Sequence, residues 1–393
     1  MSAHTSVHRE VGGPLLTRPF RLLLAIAALG GVMMLWRFAS GLAAVSNLND
    51  GYPWGIWIAF DVVTGTALGC GGYAIALLVY ILNKGEYHPL VRPAILTSLL
   101  GYGLAVLAVT VDLGRFWSLW KVPVYFWRWS HSPQLEVALC VATYVFVLLI
   151  ELSPAFFEKW RKSPDAGLRS FAEKGLGLVK RYFVFILALG LLLPTMHQSS
   201  LGTMMLLPGP KLHPLWSTPW LPFLFLVNCV VMGYGVVVLE SHAAASAFSR
   251  RRETEMLGRL SKVAMGTALF FVAFRLVDVA LRGQAGTLFS WFGLGFLLEL
   301  ALLVAGAVVL MPAPNRRSPG RQALAALLLV VGGTVYRFNV YFVGFRPGAN
   351  WSYFPAVPEL LITFGIVALE IALYVAAVKT FPILAGDPVP ARA

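Results

Sequence analysis

The chain has 393 residues, of which 58% are hydrophobic and only 12% charged, and its formal net charge is +13 at pH 7. This composition, with a mean hydropathy of +0.74, excludes a soluble enzyme and is typical of a protein that crosses a membrane many times. The positive charge does not indicate nucleic-acid binding, because in so apolar a chain it marks the loops that stay in the cytoplasm.

Runs of about 20 apolar residues predict ten transmembrane helices. In chain order they cover 20–45, 55–82, 94–113, 134–152, 178–196, 220–240, 263–281, 288–311, 323–343 and 357–378. The predicted fold class is therefore an all-α integral membrane protein.

A short repeat indicates how the helices are grouped. Helices two and six both begin with Pro-Trp, at Pro53 and Pro219, and run in the same direction. This repeat predicts two four-helix bundles, 55–196 and 220–343, with one flanking helix at each end. All of them belong to a single polytopic domain over 1–393.

The basic residues predict the orientation of the chain. Most of the 31 Lys and Arg residues fall on one set of loops and on the arms, so both termini are predicted to be cytoplasmic. Arg37, Arg275 and Arg337 instead lie within predicted helices. Arg275 is one turn from Asp278, and this spacing predicts a buried ion pair between them.

Five other polar residues within the predicted helices are candidates for proton transfer. Asp61 and Glu136 fall in the outer third of the membrane, Tyr102 near its middle and Glu240 toward the inside, and His197 ends helix five. Each must be paired, neutral or hydrated there. Acids at graded depths, with a tyrosine and a histidine, suit proton transfer across a bilayer. The alternative is that they form buried ion pairs that only fix helix packing.

Cysteine and histidine positions argue against a metal cofactor in this protein. Cys70, Cys140 and Cys229 are isolated, so we expect no iron–sulfur cluster. His197 and His242 fall at opposite ends of the membrane, roughly 30 Å apart, and cannot share one haem. We therefore predict neither haem nor any other bound metal.

The predicted outer loop at 116–129 is unusually aromatic. Its seven aromatic residues are Phe116, Trp117, Trp120, Tyr125, Phe126, Trp127 and Trp129. An aromatic belt at the membrane interface explains part of this enrichment. The excess predicts a binding surface for a flat apolar ring or for a docked partner.

Three motifs carry a resemblance to a known family. They are N-L-N-D-G-Y-P-W-G-I-W-I-A-F-D at 47–61, D-L-G-R-F-W-S-L-W at 112–120 and S-P-Q-L-E-V-A-L-C at 132–140. With these motifs, the protein resembles the NrfD/PsrC-like integral membrane quinone subunits, and within that family the HybB-type subunits of membrane-bound nickel–iron hydrogenases.

The resemblance implies a function in respiratory electron transport. Such subunits lie in the bacterial inner membrane among lipid, without a redox cofactor of their own, and bind menaquinone or ubiquinone near the periplasmic face. A ferredoxin-like iron–sulfur subunit, with the hydrogenase small and large subunits, delivers electrons there. The implied quinone-binding residues are Asn47, Asn49, Asp50, Tyr52 and Trp54, covered by Trp117, Trp120 and Trp127. Relatives that hold a quinone carbonyl with a histidine have it before helix two, where this sequence has none.

Other functions remain open at this stage. The quinone subunit could serve a sulfur-compound reductase or another molybdenum enzyme. A proton-coupled transporter would use the same intramembrane acids, although it would be expected to have more Gly and Pro interruptions at matching midplane positions. Protons for quinone reduction could come from the cytoplasm, through Glu240 and Tyr102, or from outside.

Overall fold

The computed structural model describes residues 8–385, so residues 1–7 and 386–393 of the predicted domain lie outside the described part. Ten described helices are long and apolar enough to cross a membrane, which confirms the predicted number and the all-α fold class. In chain order they are α1 Arg18–Ser40, α2 Trp57–Ile81, α3 Gly85–Asp112, α4 Pro133–Trp160, α5 Ala166–Met204, α6 Leu221–Ala247, α7 Thr254–Leu281, α8 Trp291–Leu310, α9 Pro319–Val343 and α10 Val357–Thr380.

Both ends of the described part lie on the same side of the helices. There the short strands β1 (His8–Arg9) and β2 (Leu384–Ala385) pair in antiparallel orientation. We call this the terminal side, and the opposite side the distal side. The identification of the terminal side as cytoplasmic rests on the positive-inside rule and stays a prediction.

Several helices differ in length from the apolar runs that predicted them, and α1 and α5 are examples. α1 ends at Ser40 rather than Val45, because Gly41 adopts φ 88° and turns the backbone out of the helix. α5 begins at Ala166 and ends at Met204, well beyond the predicted 178–196. Hydropathy marks only the stretch of a helix that is apolar, whereas the hydrogen-bonded helix continues through the polar residues on either side.

α2 is the central helix and α1 is peripheral. In the most apolar 18-residue stretch of each helix, 78% of α2 is buried within the protein, whereas only 11% of α1 is. α1 packs along α10, where Gly30 and Gly365 allow the two backbones to approach closely. A Cβ atom at Gly30 would lie 2.7 Å from the Cα of Gly365. The first and last helices are therefore neighbours.

Part of α2 departs from ordinary α-helical winding. Its segment Trp57–Thr64, which contains Asp61, is wound as a π-helix. The last turn of α9, Asn339–Val343, is also π-helical. Such turns are rare and occur frequently at functional sites. These two segments lie toward the distal side, where the candidate binding residues are found, whereas a third π-helical segment, Leu77–Ile81, ends α2 at the terminal side.

Candidate functional site

A buried polar cluster surrounds Arg337 of α9. The fully buried guanidinium donates hydrogen bonds to Asn228 Oδ1 at 2.7 Å and to Gln198 Oε1 at 2.8 Å. It also donates to the backbone carbonyls of Val63 at 2.6 Å and Phe225 at 2.9 Å. All four acceptors are neutral. Arg337 therefore connects α9 to α2, α5 and α6 while it keeps an unneutralised positive charge inside the protein.

The cluster continues to two of the predicted proton-transfer residues. His197 Nε2 lies 2.9 Å from the Tyr102 hydroxyl and 2.9 Å from Gln198 Nε2. The same hydroxyl lies 3.3 Å from Cys70 Sγ. Because α5 extends to Met204, His197 lies within the helix rather than at its end. The structure thus brings Tyr102 and His197 into direct contact.

Asp61 and Glu240 both face α10. Asp61 is buried and accepts a hydrogen bond from Thr363 Oγ1 at 2.8 Å. Glu240 accepts from Tyr374 OH at 2.8 Å and from Thr97 Oγ1 at 2.9 Å. The sequence alone did not indicate that the tenth helix contacts both predicted proton carriers.

Glu136 lies closer to the distal side than Tyr102 does. It is half-buried in the first turn of α4, at the distal side. A carboxylate is favourable there because the free backbone N–H groups at a helix start carry partial positive charge. Tyr102, by comparison, lies ten residues from the distal end of α3, or about 15 Å along its axis.

The loop before α2 packs against the loop before α10. Asn47 Nδ2 donates to Phe354 O at 2.9 Å, and Asn49 Nδ2 donates to Ser352 O at 3.0 Å. Trp54 Nε1 donates to Tyr341 O at 3.1 Å. Asp50 is exposed. Three of the five quinone-binding residues implied in this loop therefore hold this part of the distal side together.

Tyr52 differs from the others because it lines a cavity of about 580 Å³ on the distal side. The cavity is also lined by His213, Phe292, Phe342, Phe345, Arg346 and Trp351. Phe292 stacks on the His213 ring, with centroids 4.3 Å apart. The volume is within the range of pockets that bind small organic molecules.

His213 of the α5–α6 loop supplies a hydrogen-bond donor to this cavity. Burial and the positive charge of Arg346 lower the pKa of His213 below its usual value, so the ring is neutral near pH 7. His213 Nδ1 accepts from the backbone N–H of Leu215 at 3.3 Å. The ring proton is therefore on Nε2, which can donate to an oxygen acceptor.

The aromatic loop is a separate feature of the distal side. Trp117, Trp120 and Trp127 are 63%, 56% and 58% exposed. None of the three lines the cavity beside Tyr52. They form an exposed apolar surface, and exposed patches of this kind mark interaction sites with protein or membrane.

The predicted ion pair between Arg275 and Asp278 is wrong. Arg275 instead pairs with Glu299 of α8, with Arg275 NH2 and Glu299 Oε1 3.0 Å apart and both side chains fully buried. Asp278 pairs with Arg282 at 2.8 Å, one turn further along α7. Residues 275 and 278 share a helix face, but the packing of α8 against α7 gives the arginine a different carboxylate.

Comparisons with known proteins are decisive for the family. A family model described as "Polysulphide reductase, NrfD" matches residues 44–346, more than half of the sequence. The chain belongs to the NrfD family. The match ends before α10, so that helix lies beyond the NrfD model.

Relatives of this NrfD-family protein are membrane subunits of redox enzymes. It is 36% identical, over 96% of its length and 95% of the relative, to the "Probable Ni/Fe-hydrogenase 2 b-type cytochrome subunit" of Escherichia coli. It is 26% identical, over 88% of its length and 86% of the relative, to "Menaquinone reductase, integral membrane subunit" of Nitratidesulfovibrio vulgaris. It is also 26% identical, over 70% of its length and 90% of the relative, to one component of the polysulfide reductase of Wolinella succinogenes. The NrfD-family protein described here is a multi-pass protein of the bacterial inner membrane.

The name of the first relative includes a b-type cytochrome, but His197 and His242 of this NrfD-family protein are not arranged to ligate haem. Two axial histidines would have to face each other across one plane. His197 Nε2 contacts Tyr102, and His242 Nε2 lies 2.7 Å from Gln322 Oε1. On α6, His242 is 14 residues from Asn228 of the Arg337 cluster, about 21 Å along the axis. These two histidines do not fit a shared haem.

Several functional candidates were missed by reading the sequence. Gln198 and Thr363 are common residues in an apolar run, and His213 and Arg346 lie in loops that gave no motif. They reach the Arg337 cluster, Asp61 or the distal cavity only because segments far apart in the sequence pack together. His213 lines the cavity, whereas the loop before α2 contains no histidine.

Proposed function

We propose that this protein is the membrane anchor and quinone-binding subunit of a respiratory oxidoreductase, and that this oxidoreductase is a nickel–iron hydrogenase. In this function it transfers electrons from a ferredoxin-like iron–sulfur subunit, bound with the hydrogenase small and large subunits on the periplasmic side, to menaquinone or ubiquinone. The distal side then faces the periplasm. The names of the hydrogenase and menaquinone reductase relatives support this proposal.

The distal cavity is the observation that carries the proposal. A quinone headgroup is a flat ring with two carbonyl oxygens, so it needs aromatic surfaces and hydrogen-bond donors. Phe292, Phe342 and Trp351 supply the surfaces, while His213 and Arg346 supply donors. Burial raises the pKa of Tyr52, so its hydroxyl stays protonated, and in the structure it donates to Phe345 O at 3.4 Å.

Quinone reduction also takes up two protons with two electrons. Asp61, Glu136 and Glu240 are acids able to carry protons, and Tyr102 and His197 form a hydrogen-bonded pair that can relay them. The exposed aromatic loop, with Trp117, Trp120 and Trp127, provides a surface for the redox partner near the cavity side.

The function is tested by measuring hydrogen-dependent reduction of a quinone analogue by membranes with and without this protein. We expect quinone reduction to be lost without it, while reduction of a soluble dye by the hydrogenase continues. Unchanged quinone reduction would contradict the proposal. Membranes that oxidise a quinol with polysulfide as the electron acceptor, but do not reduce quinone with hydrogen, would assign the protein to a sulfur-compound reductase instead.

Replacement of His213 by phenylalanine should weaken quinone binding. The variant keeps an aromatic ring against Phe292 but loses the donor, and a lost hydrogen bond of about 1.4 kcal/mol is a tenfold loss of affinity. We expect the apparent KM for the quinone analogue to rise roughly 10-fold. His88→Phe, an exposed histidine on the terminal side, is the control. An unchanged KM for His213→Phe would place the headgroup elsewhere.

Asp61→Asn and Glu136→Gln should leave the complex assembled but slow quinone reduction. Each variant keeps the size of the side chain and removes its exchangeable acid proton. Loss of a positioned proton carrier typically costs about 100-fold or more in rate. Turnover with quinone and with a soluble dye should be compared, using the exposed Glu173→Gln as a control. Normal quinone turnover in both variants would remove these acids from the mechanism.

A further inference from the structure

One face of α10 is polar along most of its length. Glu359, Thr363, Glu370 and Tyr374 follow one another at intervals of four, seven and four residues. With 3.6 residues per turn they fall within an arc of about 60°. They span about 22 Å along the axis, most of the roughly 30 Å of hydrocarbon. We call this set the α10 stripe.

The distal end of the α10 stripe reaches the cavity proposed for quinone. Glu359 Oε1 accepts a hydrogen bond from Tyr353 OH at 2.6 Å. The Tyr353 ring stacks on Tyr52, with centroids 5.9 Å apart, and on Phe342, with centroids 5.5 Å apart. Tyr52 and Phe342 both line the cavity. One residue therefore separates the end of the stripe from the cavity wall.

The middle of the α10 stripe joins the two predicted acids. Thr363 binds Asp61, and Tyr374 binds Glu240. Glu370 lies between them, about 10 Å along the axis from Thr363 and about 6 Å from Tyr374. Its Oε1 lies beside Gly101 of α3, 3.6 Å from where a Cβ atom on that glycine would be, and the same position is 3.5 Å from the carbonyl oxygen of Gly65. Gly101 is one turn from Thr97, which binds Glu240, and Gly65 is one turn from Asp61, so Glu370 lies between the two acids.

The terminal end of the α10 stripe has access to water. A cavity of about 50 Å³ is lined by Glu240 and Tyr374 together with Arg250 and Glu253. This volume exceeds the roughly 15 Å³ that one water needs, and the lining supplies polar partners. Burial raises the pKa of Glu253, against the opposing charge of Arg250, so that its carboxyl exchanges protons closer to neutral pH.

The acids along this face differ from the structural ion pair elsewhere in the protein. Glu299 is neutralised by Arg275. Among residues 8–385, by contrast, neither Asp61, Glu240 nor Glu370 forms an ion pair with a Lys or Arg. An intramembrane acid without a cationic partner has to be protonated or hydrated, which is the condition for carrying a proton.

We propose that the α10 stripe is a proton route from the terminal side to the distal quinone cavity, with Glu370 as the link between Glu240 and Asp61. The proposal rests on the proposed quinone function and adds the source of its protons. It also gives a role to α10, which lies beyond the residues that the family model matches.

The transfer along the route is balanced at each step. Glu240 takes a proton from water in the terminal cavity and gives one to Glu370, which gives one to Asp61. Each carboxyl thus releases one proton for each that it receives. From Asp61 the protons continue past Thr363 and the Glu359 and Tyr353 pair. Two protons reach the cavity for every two electrons that the redox partner supplies, so quinone reduction separates charge across the membrane.

The test uses the complete oxidoreductase complex reconstituted in liposomes with hydrogen and a quinone analogue. Quinone reduction and proton uptake from the terminal-side compartment are measured together, with a pH-sensitive dye in that compartment. Wild type should take up two protons there for each quinone reduced. Glu370→Gln should reduce the uptake at least 10-fold. Thr363→Val and Tyr374→Phe, which each remove only a hydroxyl, should reduce it less.

Glu151→Gln is the matched control, because Glu151 is another acid within the membrane but lines a different cavity, beside Tyr144. Dye reduction by each purified complex shows that the variants have assembled. If wild type reduces quinone with protons from the distal compartment, or if Glu370→Gln takes up protons as wild type does, the route is overturned and the quinone function stands. If wild type reduces dye but no quinone, the proposed function fails, and the route fails with it.

Discussion

Replacing Arg337 with leucine should prevent the protein from folding stably. The side chain donates four hydrogen bonds to groups on α2, α5 and α6, and all of them are buried. Leucine would leave these acceptors unsatisfied and would remove the one cation that holds them in place. The expected loss is about 3–5 kcal/mol of the free energy of unfolding, a large share of the roughly 5–15 kcal/mol that is typical of folded proteins.

The effect can be measured as thermal unfolding of the purified protein in detergent. Arg337→Lys keeps the charge but can reach fewer of the acceptors, so its stability should be intermediate. Arg317→Leu, at an exposed arginine before α9, should unfold like wild type. If Arg337→Leu unfolds at the wild-type temperature, the cluster has no structural function and Arg337 would have to be examined as a functional cation.

Arg275→Met should be the second most damaging substitution. It leaves the Glu299 carboxylate buried without its partner, at an expected cost of about 3–5 kcal/mol. Adding Glu299→Gln should recover part of this loss, because the uncharged amide can still accept from Trp216 and Asn339. The single and double variants should be compared by unfolding in detergent.

The pair of Asp278 and Arg282 at the end of α7 offers a comparison, because Asp278 is buried whereas Arg282 is partly exposed. Arg282 is 22% exposed, so Arg282→Met should cost less than Arg275→Met. If the two arginine variants lose the same stability, or if Glu299→Gln lowers the stability of Arg275→Met further, the Arg275 and Glu299 pair would not be the source of the effect.

Hydropathy was sufficient to predict the ten helices, because a membrane span needs a long apolar run wherever it packs. It could not predict which helices are neighbours. Thus Asp278, at one turn from Arg275, looked like its partner, whereas Glu299 on α8 is the true one. Nor could it extend α5 into the polar residues that follow Asp165.

The candidate site was predictable only in part for the same reason. Asp61 and Glu240 could be predicted as candidates because acids are rare in apolar runs. Threonine and tyrosine are common there, so the contacts that Thr363 and Tyr374 make with these acids could not be predicted. Tyr102 and His197 were both identified, yet their contact depends on the packing of α3 against α5. The two-bundle division and the roles of the site residues stay predictions.

The neighbouring positions of α1 and α10 affect how the protein is made. α1 is synthesised first, but its main packing partner is separated from it by more than 300 residues. During insertion into the membrane α1 must therefore wait beside lipid, and contacts between residues so far apart in sequence form late. The contact between α1 and α10 can form only after α2–α9 have been synthesised, so a variant that lacks α10 would leave this face of α1 without its packing partner.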